Sequence, residues 1–476
     1  MRLTFGEWLP DQPGVAGALT KAENVVPQAI GYGPFPLSSA YSGTATENLN
    51  SLFAAKGNLS EVFMFAGSQN ELFKLQSDLT LANVSRTAGY TGDPEDRWNF
   101  TQFGTRVIAA NKNSVLQSFV TGTSTKFEDI SGSPPAKYLT VVRDFVVTGY
   151  QTDYPFRVQW SGINNATTWS FSQVTQADFQ DLPDAGLVQG VTGGEYGLIF
   201  LEKSVYRMSY VGTPVIFQFD EIAKGIGCFE PNSIVQYRNL VFFLSDDGFY
   251  VCDGQTVKPI GAEKVDRFFS ANFNSSYGYK MSATVDPTRS IVIWAYPSVQ
   301  QPGVVDSLII YNFDTGRWSS GTTDVDFVGI SQTPGLTLED LDDISTNIDT
   351  LGTSLDSRLF VGGKFELAGG KDDRIVTFTG SPATATIQTG DIEVENRFSA
   401  LRMVRPIVDG GSSNVALASR ASLKDAITYG SYVSPTSEDR VSVRGIGRYH
   451  RLSFQPTNGW STAIGADIEL EAQGGR

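Results

Sequence analysis

Between residues 187 and 261, short apolar runs alternate with turn residues. Gly197-Leu-Ile-Phe-Leu201 stops at Glu202-Lys203, Val205-Tyr-Arg-Met-Ser-Tyr-Val211 follows, and Gly212-Thr-Pro214 ends it. Val215-Ile-Phe-Gln-Phe219 alternates, and after Gly225-Ile-Gly227 the pattern returns in Ser233-Ile-Val-Gln-Tyr237 and Leu240-Val-Phe-Phe-Leu244, joined at Arg238-Asn239. Asp246-Asp-Gly248 and Asp253-Gly254 bracket Phe249-Tyr-Val-Cys252. Runs of β-branched and aromatic residues broken by Asp, Asn and Gly predict antiparallel hairpins. Their apolar residues fall on both alternating faces, as in a sheet covered on both sides. The stretch therefore predicts two successive blades of a β-propeller.

The same pattern extends in both directions. Residues 62–65 and 71–75 predict a hairpin, and 98–103, 106–110 and 115–119 a meander. Residues 138–142, 145–149 and 157–160 repeat it, closing at 167–171. Further units are 281–285, 290–295, 306–311 and 317–318, then 327–330, 358–361 and 374–378. A spacing of roughly 40–50 residues is the period of propeller blades. Six or seven blades are expected over residues 46–380.

Three segments depart from the strand period. Thr44-Ala-Thr-Glu47 fits a capping box and, with Leu49, Leu52, Phe53 and a stop at Gly57, predicts a short helix. Residues 262–273 predict another, with Val265, Phe268 and Phe269 on one face. Leu338, Leu341, Ile344, Ile348 and Leu351 recur at helical spacing, so a helix is expected near 338–351, inserted between strands and acidic on its other side. Residues 385–476 change character: six or seven short strands separated by Gly-Gly, Ser-Ser and Pro-Thr turns predict a small C-terminal β-sandwich. Residues 1–45 hold Pro10, Pro13, Pro27, Pro34 and Pro36, and read as an extended arm. Such an arm either lies over the first sheet or grips a neighbouring subunit. The fold class is thus all-β: a propeller followed by a sandwich.

Composition agrees. Of 476 residues, 48 are Gly and 31 Phe, and only 18% are charged, which suits a turn-rich β protein. The net charge of −15 argues against wrapping nucleic acid by phosphate neutralisation, though not against DNA passing by. The start, Met1-Arg-Leu-Thr-Phe-Gly-Glu-Trp8, lacks the apolar core of a signal peptide, and no run approaches the ~20 residues of a membrane helix. A soluble chain folding in a cytoplasm is expected, with Cys228 and Cys252 as buried thiols; a disulfide between them stays open.

Candidate chemistry is sparse. His450 is the only histidine, so neither a triad nor a histidine-based metal site can be assembled around it; a place on the sandwich surface or at an interface is expected. Asp246/Asp247 and Asp342/Asp343 are adjacent pairs of the kind turns favour, unlike the separated carboxylates of a glycosidase. Asn164-Asn-Ala-Thr-Thr-Trp169 and Asp314-Thr-Gly-Arg-Trp318 partly match the Asp-box turns of sialidase-like propellers, which are structural. No phosphate-binding glycine motif is present. Asn-X-Ser/Thr triplets at Asn58, Asn83, Asn165 and Asn274 carry no meaning without a signal peptide. No catalytic, cofactor-binding or metal-binding residue is predicted, no cofactor is expected, and the chain reads as a non-enzyme.

Four motifs taken in order carry a resemblance over most of the chain. They are Trp8-Leu-Pro-Asp-Gln-Pro13, residues 190–208 leading into Lys224-Gly-Ile-Gly-Cys228 and 243–250, residues 309–318, and Gly445-Ile-Gly-Arg-Tyr-His-Arg-Leu452 with 464–470. In these the sequence resembles the packaged-DNA stabilisation, or tail nozzle, proteins of short-tailed bacteriophages. The resemblance implies a hexameric ring in the virion tail, assembled in the bacterial host cytoplasm. An adaptor protein would sit above it, with a tail fibre, spike or needle docked to it and double-stranded DNA in transient passage. An acidic surface would let DNA slide rather than stick. The alternative is a carbohydrate-binding propeller in which Trp98, Trp160, Trp169, Trp294 and Trp318 stack on sugar rings, although their strand positions favour core packing. A propeller glycosidase is a third reading, without a carboxylate constellation to carry it.

Overall fold

Six four-stranded antiparallel sheets, and four antiparallel strands of an eight-stranded one, make up residues 39–377 in the computed structural model, which describes residues 1–57, 61–332, 364–393, 397–457 and 459–472. Their innermost strands begin at Leu49, Asn99, Ala136, Val188, Val235, Ser282 and Phe327. Each sheet packs on the next through apolar residues of both faces, as in the cluster of Leu198, Phe200, Val205, Cys228, Val241 and Phe243 between the fourth and fifth. This is a seven-bladed propeller, and the strand spacing read from sequence is its blade period.

The stretch 187–261 is blades four and five, with blade four from Val188–Thr192 to Ile216–Lys224 and blade five from Val235–Tyr237 to Val257–Pro259. The helix expected at 262–273 is present as Asp266–Asn272, burying Phe269. The helix expected at 44–53 is not: Leu49–Lys56 is the inner strand of blade one, paired with Val62–Ser68. The run of Leu, Phe and Ala there is equally apolar on two faces, and packing between blades overrides the capping signal. Residues 167–171 are not strand either. Blade three closes instead with Asp178–Asp181 on Arg157–Trp160. Blade seven contains Phe365–Lys371, which the pattern had not singled out. The helix expected at 338–351, the strand at 358–361 and the pair Asp342/Asp343 lie outside the described residues.

Blade seven takes its fourth strand from the N-terminal region, where Ser39–Ala40 pair with Arg374–Thr377. The ring is thus closed by chain segments from both ends of the propeller.

The N-terminal residues do not form a free arm. Arg2–Thr4 pair with Thr462–Ala472, Leu19–Glu23 with Thr386–Thr389, and Tyr32–Pro34 join the same C-terminal strand at Ala463. Pro27 and Pro34 sit in a short hairpin, Val25–Pro27 against Tyr32–Pro34, whose first strand is a sheet edge, where a missing amide costs no ladder bond. The sandwich therefore spans both chain termini. One of its sheets continues blade six into eight strands, through the single parallel pair Glu23 and Ser320. Propeller and sandwich share one apolar core that includes Trp8, Tyr32, Trp294, Trp318, Phe454 and Trp460.

Candidate functional site

The inner strands surround a central channel with a cavity of about 470 Å³. At one end stand three consecutive residues of the segment entering blade two. Asp96 is buried and its carboxylate is held by two lysines, Lys112 Nζ at 2.7 Å and Lys137 Nζ at 3.1 Å. Lys112 also reaches Asp93 at 3.1 Å. Arg97 crosses towards blade six, where its Nη2 donates to the Lys280 carbonyl at 2.7 Å, and its guanidinium lies 5.9 Å from the Phe327 ring of blade seven. Burial lowers its pKa to about 10, opposed by the charge of Asp326. Trp98 is buried against Tyr90, and its Nε1 has no acceptor.

The wall is built by the inner strands, each of which contributes several successive residues, polar as well as apolar. Leu52, Phe53, Val191, Ile234, Ala283 and Ile330, from five blades, line it and are half-buried. Gln332, at the far end of the blade-seven inner strand, also lines it and is buried with Oε1 unpartnered. Near the Arg97 end, Glu230 is buried with its carboxyl against Gly278, where an added Cβ would lie 1.8 Å from Oε1. Burial raises this carboxyl to about 7, and the Lys137 charge works against that rise.

A second concavity, about 580 Å³, lies beside Asp246, Asp247 and Asp266. Each of the last two is committed locally: Asp247 accepts from the Tyr250 hydroxyl at 2.8 Å and Asp266 from the Phe249 amide at 3.2 Å. Burial raises Asp266 to about 6. Among the described residues no group of three or more His, Cys, Asp or Glu side chains is arranged to hold a metal ion.

His450 is fully buried, not on the sandwich surface or at an interface. Its Nε2 is 3.0 Å from Ser399 Oγ and its Nδ1 2.8 Å from Ser419 Oγ, so the imidazole bridges two strands, and burial lowers its pKa. The flanking arginines misled the sequence reading. Arg451 turns away to Asp391, with Nη2 at 2.9 Å, and Arg448 lies over Phe398. Cys228 and Cys252 are free thiols buried in the same cluster. Trp98, Trp160, Trp169, Trp294 and Trp318 are all at most 4% exposed, so none offers a face to a ligand at the surface. The channel residue Arg97 gave no signal in sequence, because nothing local marks a segment that will face six other blades; Trp98 drew attention only as an aromatic, and it is buried.

No family model matches the sequence, and no curated protein matches it. Solved structures share parts of its architecture. The computationally designed Ika8 protein is 10% identical with a TM-score of 0.36, covering 72% of this chain and 99% of that one. The Pan2 WD40 domain of Neurospora crassa is 10% identical with a TM-score of 0.39, covering 70% and 90%. A catalytically inactive virginiamycin B lyase from Staphylococcus aureus, with quinupristin, is 10% identical with a TM-score of 0.32, covering 51% and 76%. No chain membership follows from these; the propeller is read from its own strand order. No helix among the described residues is long and apolar enough to cross a membrane.

Proposed function

We propose that this chain is a structural virion protein, one subunit of a hexameric tail nozzle of a short-tailed bacteriophage. In this role the ring closes the head–tail channel, retains packaged DNA, conducts it at ejection, and offers a docking surface to fibres or a needle. The observation that carries the reading is the joining of N-terminal and C-terminal strands, Leu19–Glu23 with Thr386–Thr389, Tyr449–Thr457 and Ser412–Arg420, to blade six in one eight-stranded sheet. A body tied this way transmits load without a hinge between its domains, as a pressurised closure needs. The distribution of charge supports it. Residues 385–476 hold ten Lys and Arg and ten Asp and Glu, so the whole net charge of −15 lies in residues 1–384. An acidic propeller beside a charge-neutral sandwich fits a channel body that phosphate slides past rather than sticks to. The carbohydrate-binding alternative loses its aromatic platform with the burial of all five tryptophans.

Mass photometry and negative-stain imaging of the purified protein test this. Six-membered rings are expected, or a monomer that assembles on its adaptor partner. A strictly monomeric protein that binds glycans on an array would overturn it.

A further inference from the structure

Six of the seven blades end in a strand whose outer side is a sheet edge, whereas blade six continues into the sandwich. In five of those six the edge strand is two to four residues long. In blade four it is the nine residues Ile216–Lys224. An antiparallel edge strand turns the N–H and C=O of every second residue away from its sheet, and a long edge is a template for another strand. Among the described residues no other segment bonds to the outward backbone groups of Ile216–Lys224. The eight-stranded sheet also ends in a nine-residue strand, Ser412–Arg420, but that edge is taken. Val433 exchanges two backbone bonds with Val415, and the Gly430 amide donates to the Leu417 carbonyl.

The open edge has a chemical order along its length. Its register against the preceding strand is regular from Phe217, opposite Tyr210, to Glu221, opposite Tyr206, and shifts beyond that point. Within this stretch Gln218, Asp220 and Glu221 are exposed. Both acids meet neutral donors: Asp220 Oδ1 accepts from Gln218 Nε2 and Glu221 Oε1 from Ser204 Oγ, each at 2.7 Å. Arg207, opposite Asp220, is directed instead to the Gly254 carbonyl at 3.4 Å and the Tyr196 ring. At the hairpin tip Val211 and Val215 are 51% and 61% exposed. The edge therefore runs from an apolar tip to two adjacent acids without a cationic partner.

We propose that Ile216–Lys224 is the docking edge for an extended segment of a partner protein, added to blade four as a fifth antiparallel strand. Two consecutive lysines or arginines of that segment lie opposite Asp220 and Glu221, and β-branched residues lie towards the tip. Backbone pairing supplies the affinity and the two cations the selectivity. A second copy of the same edge fits poorly, because antiparallel pairing would set Asp220 and Glu221 against their own counterparts. This inference does not rest on the nozzle reading; it holds for a monomer or a ring.

The probe is a fluorescein-labelled, C-amidated peptide, Thr-Lys-Lys-Val-Thr-Val-Thr, titrated with the full chain and read by fluorescence anisotropy. It is expected to bind and to slow amide hydrogen exchange in residues 216–221, with Thr-Glu-Glu-Val-Thr-Val-Thr at least about tenfold weaker. The double variant Asp220→Lys, Glu221→Lys is expected to reverse that preference. Two further peptides carry N-methyl groups on alternate residues, one in each phase. The phase that blocks the protein-facing amides is expected to lose binding and the other to keep it. Absence of binding by the lysine peptide, equal binding of its charge-reversed counterpart, or binding that survives N-methylation in both phases overturns the proposal. So does an unreversed preference in the double variant. If that variant fails to fold by circular dichroism, the charge-reversed and N-methylated peptides on the wild type decide between the same outcomes.

Discussion

Ala40 and Val376 face each other as strand partners at the outer edge of blade seven. That pairing closes the ring, since it joins the segment before blade one to the segment after blade six. Its neighbourhood is tied by a side chain as well. Ser42 Oγ accepts from the buried Ile375 amide at 2.9 Å and donates to the Gly43 carbonyl at 2.8 Å.

Ser42→Ala removes an acceptor from the Ile375 amide in a water-excluded place. A loss of about 1–2 kcal/mol is expected, read as a lower denaturation midpoint at unchanged slope. An unchanged midpoint would show that closure does not depend on this bond.

Arg317 fastens the N-terminal segment to blade six. Its Nη1 donates to the carbonyls of Gln28 at 2.9 Å and Gly31 at 3.2 Å, its Nη2 to those of Phe5 at 3.2 Å and Gly6, and it lies 4.8 Å over the Tyr32 ring. A lysine cannot span four carbonyls in two directions with a compact ammonium. Arg317→Lys should destabilise by about 2–4 kcal/mol and expose residues 1–34 to limited proteolysis. Protease resistance equal to the wild type would contradict this anchoring.

Glu230 makes stability depend on pH in a stated direction. Its carboxyl titrates at about 7 in the fold and at 4.5 in an unperturbed chain, because burial disfavours the charged form. The folded state then holds the proton more tightly, so stability is greatest below the unfolded value and falls as pH rises through about 7. At full ionisation the penalty is on the order of 3 kcal/mol. Glu230→Gln should melt higher than the wild type near pH 8, and the two should converge near pH 4. His450 runs the other way. Its lowered pKa costs stability as pH falls below its unfolded value, so the variant should reveal a plainer acid limb.

Gly227 joins blade four to blade five at a contact that leaves no room for a side chain. A Cβ there would lie 2.3 Å from the carbonyl carbon and oxygen of Glu202 and 2.4 Å from the Leu201 oxygen, all backbone. Gly227→Ala should cost about 3 kcal/mol or more, since backbone atoms of a packed hairpin cannot retreat. Gly14→Ala, in open space, is the control expected to melt like the wild type. Similar melting of both variants would refute the steric account.

Strand identity and the blade period were already present in the chain, because alternation and turn chemistry are local properties. Residues 197–201, 240–244 and 290–295 could be read as strands without knowing their neighbours. The helix at Asp266–Asn272 was legible for the same reason. What lay outside local pattern was every pairing between distant residues. The prolines of residues 1–45 pointed to an arm, yet Arg2 pairs with Asp467 and Leu19 with Thr389. Leu49–Lys56 carried a helix signal that packing between two blades reversed. His450 looked exposed between two arginines until the sheets closed over it. Arg97 was an unremarkable residue beside an acid, and came to line a channel only when seven blades met around it. The sequence determined the strands; tertiary structure decided their partners, because burial and pairing belong to distances between segments that no local window contains.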